Sequence, residues 1–211
     1  MTSLIFSPLL LTALLLTGCE RGASFSDIRN LGSRGESVVC FGDSLTEGVG
    51  AGSGEDYPSI LAREIAQPVI NAGRRGDTSA DGLARLDREA LERNPRLVIV
   101  LFGGNDFLRK IPLSETKKNL AAIVKRIHDR GAMAAVAGLR LGLFADEYGP
   151  MFREIAEQNG ALYIPEVLKG ILNDPSLKSD GVHPNGAGYR LMAARIAARV
   201  KPLLETADRM R

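Results

Sequence analysis

Leu97-Val98-Ile99-Val100-Leu101-Phe102-Gly103-Gly104-Asn105-Asp106 is an unbroken apolar run cut short by two glycines and two polar residues. No position in the run is polar, so both of its faces must be covered, as they are for a strand inside a parallel sheet. Val38-Val39-Cys40-Phe41-Gly42-Asp43-Ser44 has the same form, an apolar strand stopped by glycine and polar residues. Shorter runs at Pro68–Asn71, Ala132–Ala137 and Ala161–Pro165 complete the set.

Between these runs the apolar pattern becomes helical. Tyr57–Ala66 has a proline in its first turn and carries Ile60, Leu61 and Ile65 at helical spacing. Ser79–Arg93 turns Leu83, Leu86, Ala90 and Leu91 inward, and Ser114–Arg130 does the same with Leu120, Ile123, Val124 and Ile127. Helices are also expected over Met151–Asn159, after a longer loop at 138–150, and over Gly186–Leu203. Alternating strands and helices specify an α/β fold of three layers, a parallel sheet of about five strands between two sets of helices.

In such sheets ligands collect outside the carboxyl ends of the strands, where the strand order reverses. Gly42-Asp43-Ser44, Gly73-Arg74-Arg75-Gly76 and Gly103-Gly104-Asn105-Asp106 each follow a strand, so the three loops should share one rim. Ser44 is then a candidate nucleophile at the end of a buried strand, with glycines 48, 50, 52 and 54 keeping the following loop thin. A plain turn has the same composition. The two readings separate on whether the chain also supplies a base, an orienting acid and an oxyanion site.

The chain has two histidines. His128, in Lys125-Arg126-Ile127-His128-Asp129-Arg130, reads as a solvated cation near a helix C-terminus. His183 lies in Ser179-Asp180-Gly181-Val182-His183-Pro184-Asn185-Gly186, a run of turn formers ahead of the last helix. Asp180 can curl back to the imidazole Nδ1–H, fixing its tautomer and stabilising the imidazolium as it forms. Asp-x-x-His also occurs as a metal pair or an ordinary turn, but no further Cys or His stands at a spacing that would complete a metal site. The N–H groups of Ser44 and Gly76 and the Asn105 amide are candidate donors to a developing oxyanion. Their bland alternatives are a glycine that only turns the chain and an asparagine that only closes a strand.

The amino terminus differs in kind. Residues 1–18 carry no charged side chain, and Leu4–Leu16 is almost wholly apolar, short for a membrane span and suited to the core of a secretory signal. It ends on Leu16-Thr17-Gly18-Cys19, which resembles a bacterial lipobox. No Lys or Arg precedes the apolar run, which leaves an uncleaved anchor or a misplaced start codon as the competing reading. The expected organisation is a lipoprotein-type signal peptide at 1–18, a tether at 19–36 behind a lipidated Cys19, and one domain at 37–211. The domain would be tethered to a membrane in the bacterial cell envelope, on its periplasmic or outer face. Cys40 is then left as a buried apolar side chain. With 27 Lys and Arg against 25 Asp and Glu, scattered among one another, and no Trp, nothing calls for a nucleic-acid partner.

Gly42-Asp43-Ser44-Leu45, Gly76-Asp77-Thr78, Gly103-Gly104-Asn105-Asp106 and Asp180-Gly181-Val182-His183-Pro184-Asn185 together resemble the four blocks of the SGNH (GDSL) hydrolases, in order and at similar separations. The resemblance spans about residues 37 to 203. Thr46-Glu47-Gly48, Thr78-Ser79 and Leu83-Ala84-Arg85-Leu86 bring it nearest the acyl-CoA thioesterase I, arylesterase and lysophospholipase branch. It implies a flavodoxin-like fold, no metal or organic cofactor, and hydrolysis of a small-molecule acyl ester or thioester through an acyl-enzyme. It also implies Ser44 as nucleophile, His183 as base, Asp180 as orienter, and Ser44, Gly76 and Asn105 as oxyanion donors, with Asp43, Asn71 and Gly104 in support. An O-acyltransferase would use the same triad, and a non-catalytic carbohydrate- or lipid-binding module would keep only the scaffold. No obligate protein partner is evident.

Relatives usually carry small or apolar residues before the second-block glycine, where this chain has Arg74-Arg75. Either both arginines are solvated, or one faces the cleft and attracts a phosphate or carboxylate. Phe107 and the loop Leu139–Tyr148 are candidates to line an acyl pocket.

Overall fold

The structure is a computed structural model that describes residues 25–141 and 146–211. The expected signal peptide and Cys19 lie outside the described residues. Five strands, β1 (Ser37–Gly42), β2 (Val69–Gly73), β3 (Pro95–Leu101), β4 (Met133–Ala137) and β5 (Leu162–Ile164), pair in parallel in the order β2-β1-β3-β4-β5. β1, β3 and β4 are buried over their whole length, as their unbroken apolar runs require.

Two short helices, α1 (Ser44–Glu47) and α4 (Gly104–Leu108), sit directly after β1 and β3. Of the longer ones, α2 (Tyr57–Ile65) packs with α7 (Gly186–Asp208), while α3 (Ser79–Glu89), α5 (Leu113–Asp129) and α6 (Tyr148–Asn159) pack in succession as the other layer. The chain runs from β1 to β2, then steps back past β1 to β3. The strand order therefore reverses between β1 and β3, the place where ligands bind in sheets of this kind.

Two elements begin or end elsewhere than expected. α6 starts at Tyr148 rather than Met151. α7 continues beyond Leu203, through Pro202, to Asp208. An interior proline costs a helix about 3 kcal/mol. Burying Leu203 and Leu204, at roughly 1.5–3 kcal/mol each, offsets it.

Residues 25–36 were expected to be part of a tether, but they are docked on the domain. Phe25 is buried, Arg29 N–H donates to Gly160 O at 2.8 Å, and Arg211 Nη2 donates to Gly35 O at 2.8 Å. The Asn30 amide donates to His128 O at 2.8 Å and Ala132 O at 3.0 Å. This packing also overturns the reading of His128 as a solvated cation. Its ring is 5% exposed, with neither nitrogen hydrogen-bonded. Burial, and then the Arg29 charge, push its pKa down to about 4.

Candidate active site

β1 delivers Ser44 to the rim through a turn that only glycine permits. A Cβ on Gly42 would lie 2.0 Å from Thr46 Oγ1 and 2.6 Å from Leu101 O. The next residue, Asp43, caps α1 by accepting the Leu45 N–H at 3.0 Å. Ser44 is left partly exposed at the first position of that helix.

His183 arrives from the other end of the chain, on a loop closed by the Lys178–Pro184 bridge and by Ser179 N–H donating to His183 O at 2.9 Å. Asp180 Oδ1 accepts the N–H groups of Val182 and His183, both at 2.8 Å, which leaves Oδ2 at 2.7 Å from His183 Nδ1. The Val182 N–H and then the imidazole hold the Asp180 pKa down to about 2, so its carboxylate is charged near neutral pH. His183 Nε2 lies 3.0 Å from Ser44 Oγ. Behind the loop, Asn185 caps α7, accepting from Ala187 and Gly188 N–H at 3.0 and 3.1 Å.

The two halves are tied together. Tyr189, buried on α7, donates from its hydroxyl to Val49 O at 2.9 Å, and Gly50 lies against Ser179 and Pro184. The loop behind Ser44 therefore rests on the loop that carries the His183 imidazole.

Gly76, in the loop after β2, has φ +82°, and its carbonyl is held by Arg109 Nη2 at 2.6 Å. Neither the Ser44 N–H nor the Gly76 N–H donates to an acceptor among the described residues. The Asn105 amide donates to Asp77 O at 2.9 Å and meets Asp43 Oδ2 only at 3.4 Å, so one of its protons is nearly free. All three donors follow the carboxyl ends of β1, β2 and β3, as expected from the sequence.

Beneath this rim lies a polar layer of which sequence reasoning named only Asp43 as a supporting residue. Asp106 is fully buried and accepts Ser79 N–H and Oγ–H at 2.9 and 2.5 Å and Thr116 Oγ1–H at 3.2 Å, fastening α3 and α5 to the Asn105 loop. Its position just after Asn105 was the only signal in the sequence. Asp43 is buried beside Asp106 and Asp77, and burial pushes its pKa up to about 7 against the pull of the Leu45 N–H. Arg85 was expected only as part of a motif, yet it is buried within hydrogen-bonding distance of β1, β2 and Asp77.

The remaining candidates separate. Asn71 braces the rim from β2, reaching Glu47 O and Asp56 Oδ1, both at 3.4 Å, while its own Oδ1 accepts the Gly73 N–H. Gly104 leaves ordinary space for a Cβ, and it is Gly103, at φ +117° and packed on Phe152, that the backbone requires. Arg74 is held by Glu89 at 2.5 Å, whereas Arg75 is exposed and its side chain has no hydrogen bond or ion pair among the described residues. Phe107 stands edge-on to Tyr148 at 5.7 Å. With Ile111, Leu113 and Leu141, and with Lys110 and Glu147 as its charged members, these two rings line a cavity of about 430 Å³. No group of three or more metal-ligating side chains occurs among the described residues.

A family profile for the GDSL-like lipases and acylhydrolases matches residues 40–191. The chain belongs to this family. Among GDSL-like acylhydrolases it is 29% identical to the Esterase TesA of Pseudomonas aeruginosa over 206 residues, covering 91% of this chain and 99% of that protein. It is 27% identical to the Thioesterase 1/protease 1/lysophospholipase L1 of Escherichia coli, covering 80% and 85%. The crystal structure of TesA superposes with a TM-score of 0.75 at 28% identity, over 80% of this chain and 99% of that one. The psychrotrophic esterase EstA of Pseudoalteromonas, solved with monoethylphosphonate as inhibitor, gives a TM-score of 0.74 at 25% identity, over 81% and 99%. The five-stranded parallel sheet between two helical layers is thus the family's fold, and this GDSL-like acylhydrolase is an esterase-type enzyme.

Proposed function

We propose that the chain is a serine hydrolase that cleaves carboxylic esters or thioesters through an acyl-enzyme. The observation that carries this reading is the continuous chain Ser44 Oγ, His183 Nε2, His183 Nδ1 and Asp180 Oδ2, with steps of 3.0 and 2.7 Å across the two heteroatom gaps. Ser44 Oγ attacks the carbonyl carbon while its proton passes to His183 Nε2, and Asp180 stabilises the imidazolium. The carbonyl oxygen takes the negative charge and is met by the Ser44 and Gly76 N–H groups and the Asn105 amide. Collapse of this intermediate expels the alcohol or thiol, which receives the proton from His183. Water then enters by the same route, and the acid leaves.

The acyl chain would lie along the apolar side of the cavity beside Phe107 and Tyr148, with Lys110 and Glu147 on its other wall. The lipobox-like Leu16-Thr17-Gly18-Cys19 supports a lipid anchor on Cys19 and a place in the cell envelope. An extracytoplasmic site makes acyl-CoA a poor natural substrate and favours lysophospholipids or other esters.

The test is hydrolysis of p-nitrophenyl acetate by Ser44→Ala and His183→Ala, with circular dichroism to confirm the fold. Each should lose about 10³-fold or more in kcat. Substantial turnover by a folded variant of either kind would overturn the assignment.

A further inference from the structure

Arg85 on α3 is 6% exposed, and the chemistry proposed above does not use it. Its guanidinium spreads over three points under the rim. Nη2 donates to Gly42 O at 2.8 Å, Nη1 to Ala72 O at 3.0 Å, and Nε to Asp77 Oδ2 at 2.5 Å. The Phe41 ring lies against its flat face, 4.5 Å from centroid to Cζ. Two of the anchors, Gly42 and Asp77, lie within two residues of an oxyanion donor, and the third, Ala72, lies on the strand that leads to Gly76. Gly42 leads into the Asp43-Ser44 turn, Asp77 follows Gly76, and Asp77 O accepts the Asn105 amide at 2.9 Å. α3 reaches this depth because Gly82 has no side chain, since a Cβ there would lie 2.6 Å from the Phe102 ring.

We propose that Arg85 is a positioning residue for the oxyanion site, one that fixes the spacing of the Ser44 N–H, the Gly76 N–H and the Asn105 amide by tying β1 and β2 to the Asp77 turn. The inference rests on the ester-hydrolase reading. A planar fork with donors in fixed directions can hold three acceptors at set distances, whereas a lysine ammonium at the same place is a point charge on a flexible stem. Donors displaced by a fraction of an ångström lose transition-state stabilisation while ground-state binding is nearly kept. A merely structural arginine would lower stability and leave the kcat of the folded fraction intact.

The experiment compares the wild-type chain with Arg85→Lys, Asp77→Asn and Glu89→Gln. It measures kcat and KM on p-nitrophenyl acetate, the rate of inactivation by a p-nitrophenyl alkylphosphonate, and thermal unfolding. Glu89 touches Arg85 Nη1 at 3.4 Å and pairs more closely with Arg74 and Arg88, at 2.5 and 2.8 Å, but it meets no rim donor, so it reports on the charge balance around the arginine. Arg85→Lys and Asp77→Asn should lower kcat by about 10- to 100-fold with KM within about two-fold, and should slow phosphonate capture by a similar factor. Glu89→Gln should keep kcat. A folded Arg85→Lys with wild-type kcat, or a Glu89→Gln that loses as much kcat as Arg85→Lys, overturns the assignment. If Arg85→Lys does not fold, Asp77→Asn decides alone, and wild-type kcat there has the same meaning. A wild-type chain without ester turnover would sink the hydrolase reading and this inference with it, while turnover with an unimpaired Arg85→Lys sinks this inference only.

Discussion

Gly50 and Ser179 meet where the loop behind Ser44 touches the loop that carries the His183 imidazole. A Cβ on Gly50 would lie 2.1 Å from Ser179 Oγ and 2.6 Å from Pro184 O, and the Gly50 backbone is left-handed at φ +92°. Gly50→Ala should therefore cost about 1–3 kcal/mol of stability. Because Ser179–Pro184 contains His183, the same substitution should lower kcat by about ten-fold or more. Chemical denaturation and ester kinetics on one preparation measure both, and an unchanged kcat would mean that the two loops move independently.

Asp43 offers a test in which stability and activity move in opposite directions. Burial raises its pKa to about 7, so between about pH 4 and 7 the native chain holds a proton that the unfolded chain has released. Stability must fall as the pH rises through that interval. Asp43→Asn keeps an oxygen for the Leu45 N–H and removes the buried charge. Its melting temperature should exceed wild type by a few degrees at pH 8, with the gain vanishing near pH 4. Its kcat should fall, because an NH₂ group facing Asn105 cannot accept the amide proton. A gain independent of pH would refute the electrostatic account.

His128 makes the opposite contribution at acid pH. Its folded pKa of about 4 lies below the unfolded value near 6.5, so stability is lost as the pH falls from 6.5 towards 4. The groups that bear on it are Arg29, which disfavours its charged form, and Asp129, which favours it. Both ring nitrogens are unpartnered, so an apolar replacement leaves no hydrogen bond unmade. His128→Leu should be neutral or stabilising at pH 7, flatten the melting curve between pH 6.5 and 4, and leave ester turnover unchanged. Melting temperatures across that range check it, and an undiminished acid sensitivity would count against it.

These three residues also mark the limit of what the sequence discloses. The parallel sheet and its rim were legible because strands covered on both faces must be apolar throughout, and because glycine and polar residues punctuate their ends. Ser44, His183 and Asp180 were legible because the chain has so few histidines and only one lies in a loop with an acid beside it. α1 and α4 were not, since four or five residues show no helical period. Arg85 was noted only as part of a motif, and its three acceptors under the rim come from tertiary packing; His128 was read as solvated from its charged helix end, which the segment carrying Arg29 and Asn30 covers. Gly50 read as one loop glycine among several until its contact with Ser179 singled it out.

Arg74 and Arg75 were left equivalent by the sequence, and the structure distinguishes them. Arg74 pairs with Glu89 at 2.5 Å and leans towards α3. Arg75 is anchored through its backbone N–H to Glu47 Oε2 at 2.5 Å, adjoins Gly76, and presents an exposed side chain with no partner among the described residues. A free guanidinium next to Gly76, the proposed oxyanion donor, should attract a substrate that carries its own negative charge, and salt weakens such attraction because the group is exposed. Arg75→Glu should raise KM for the p-nitrophenyl monoester of succinate by about three- to ten-fold at low ionic strength, with most of the effect gone in about 0.5 M salt. KM for the neutral acetate should stay put, and Arg74→Glu should alter neither. Equal changes on the charged and neutral esters would discard the role, since a shared loss would trace to the Gly76 loop and not to charge.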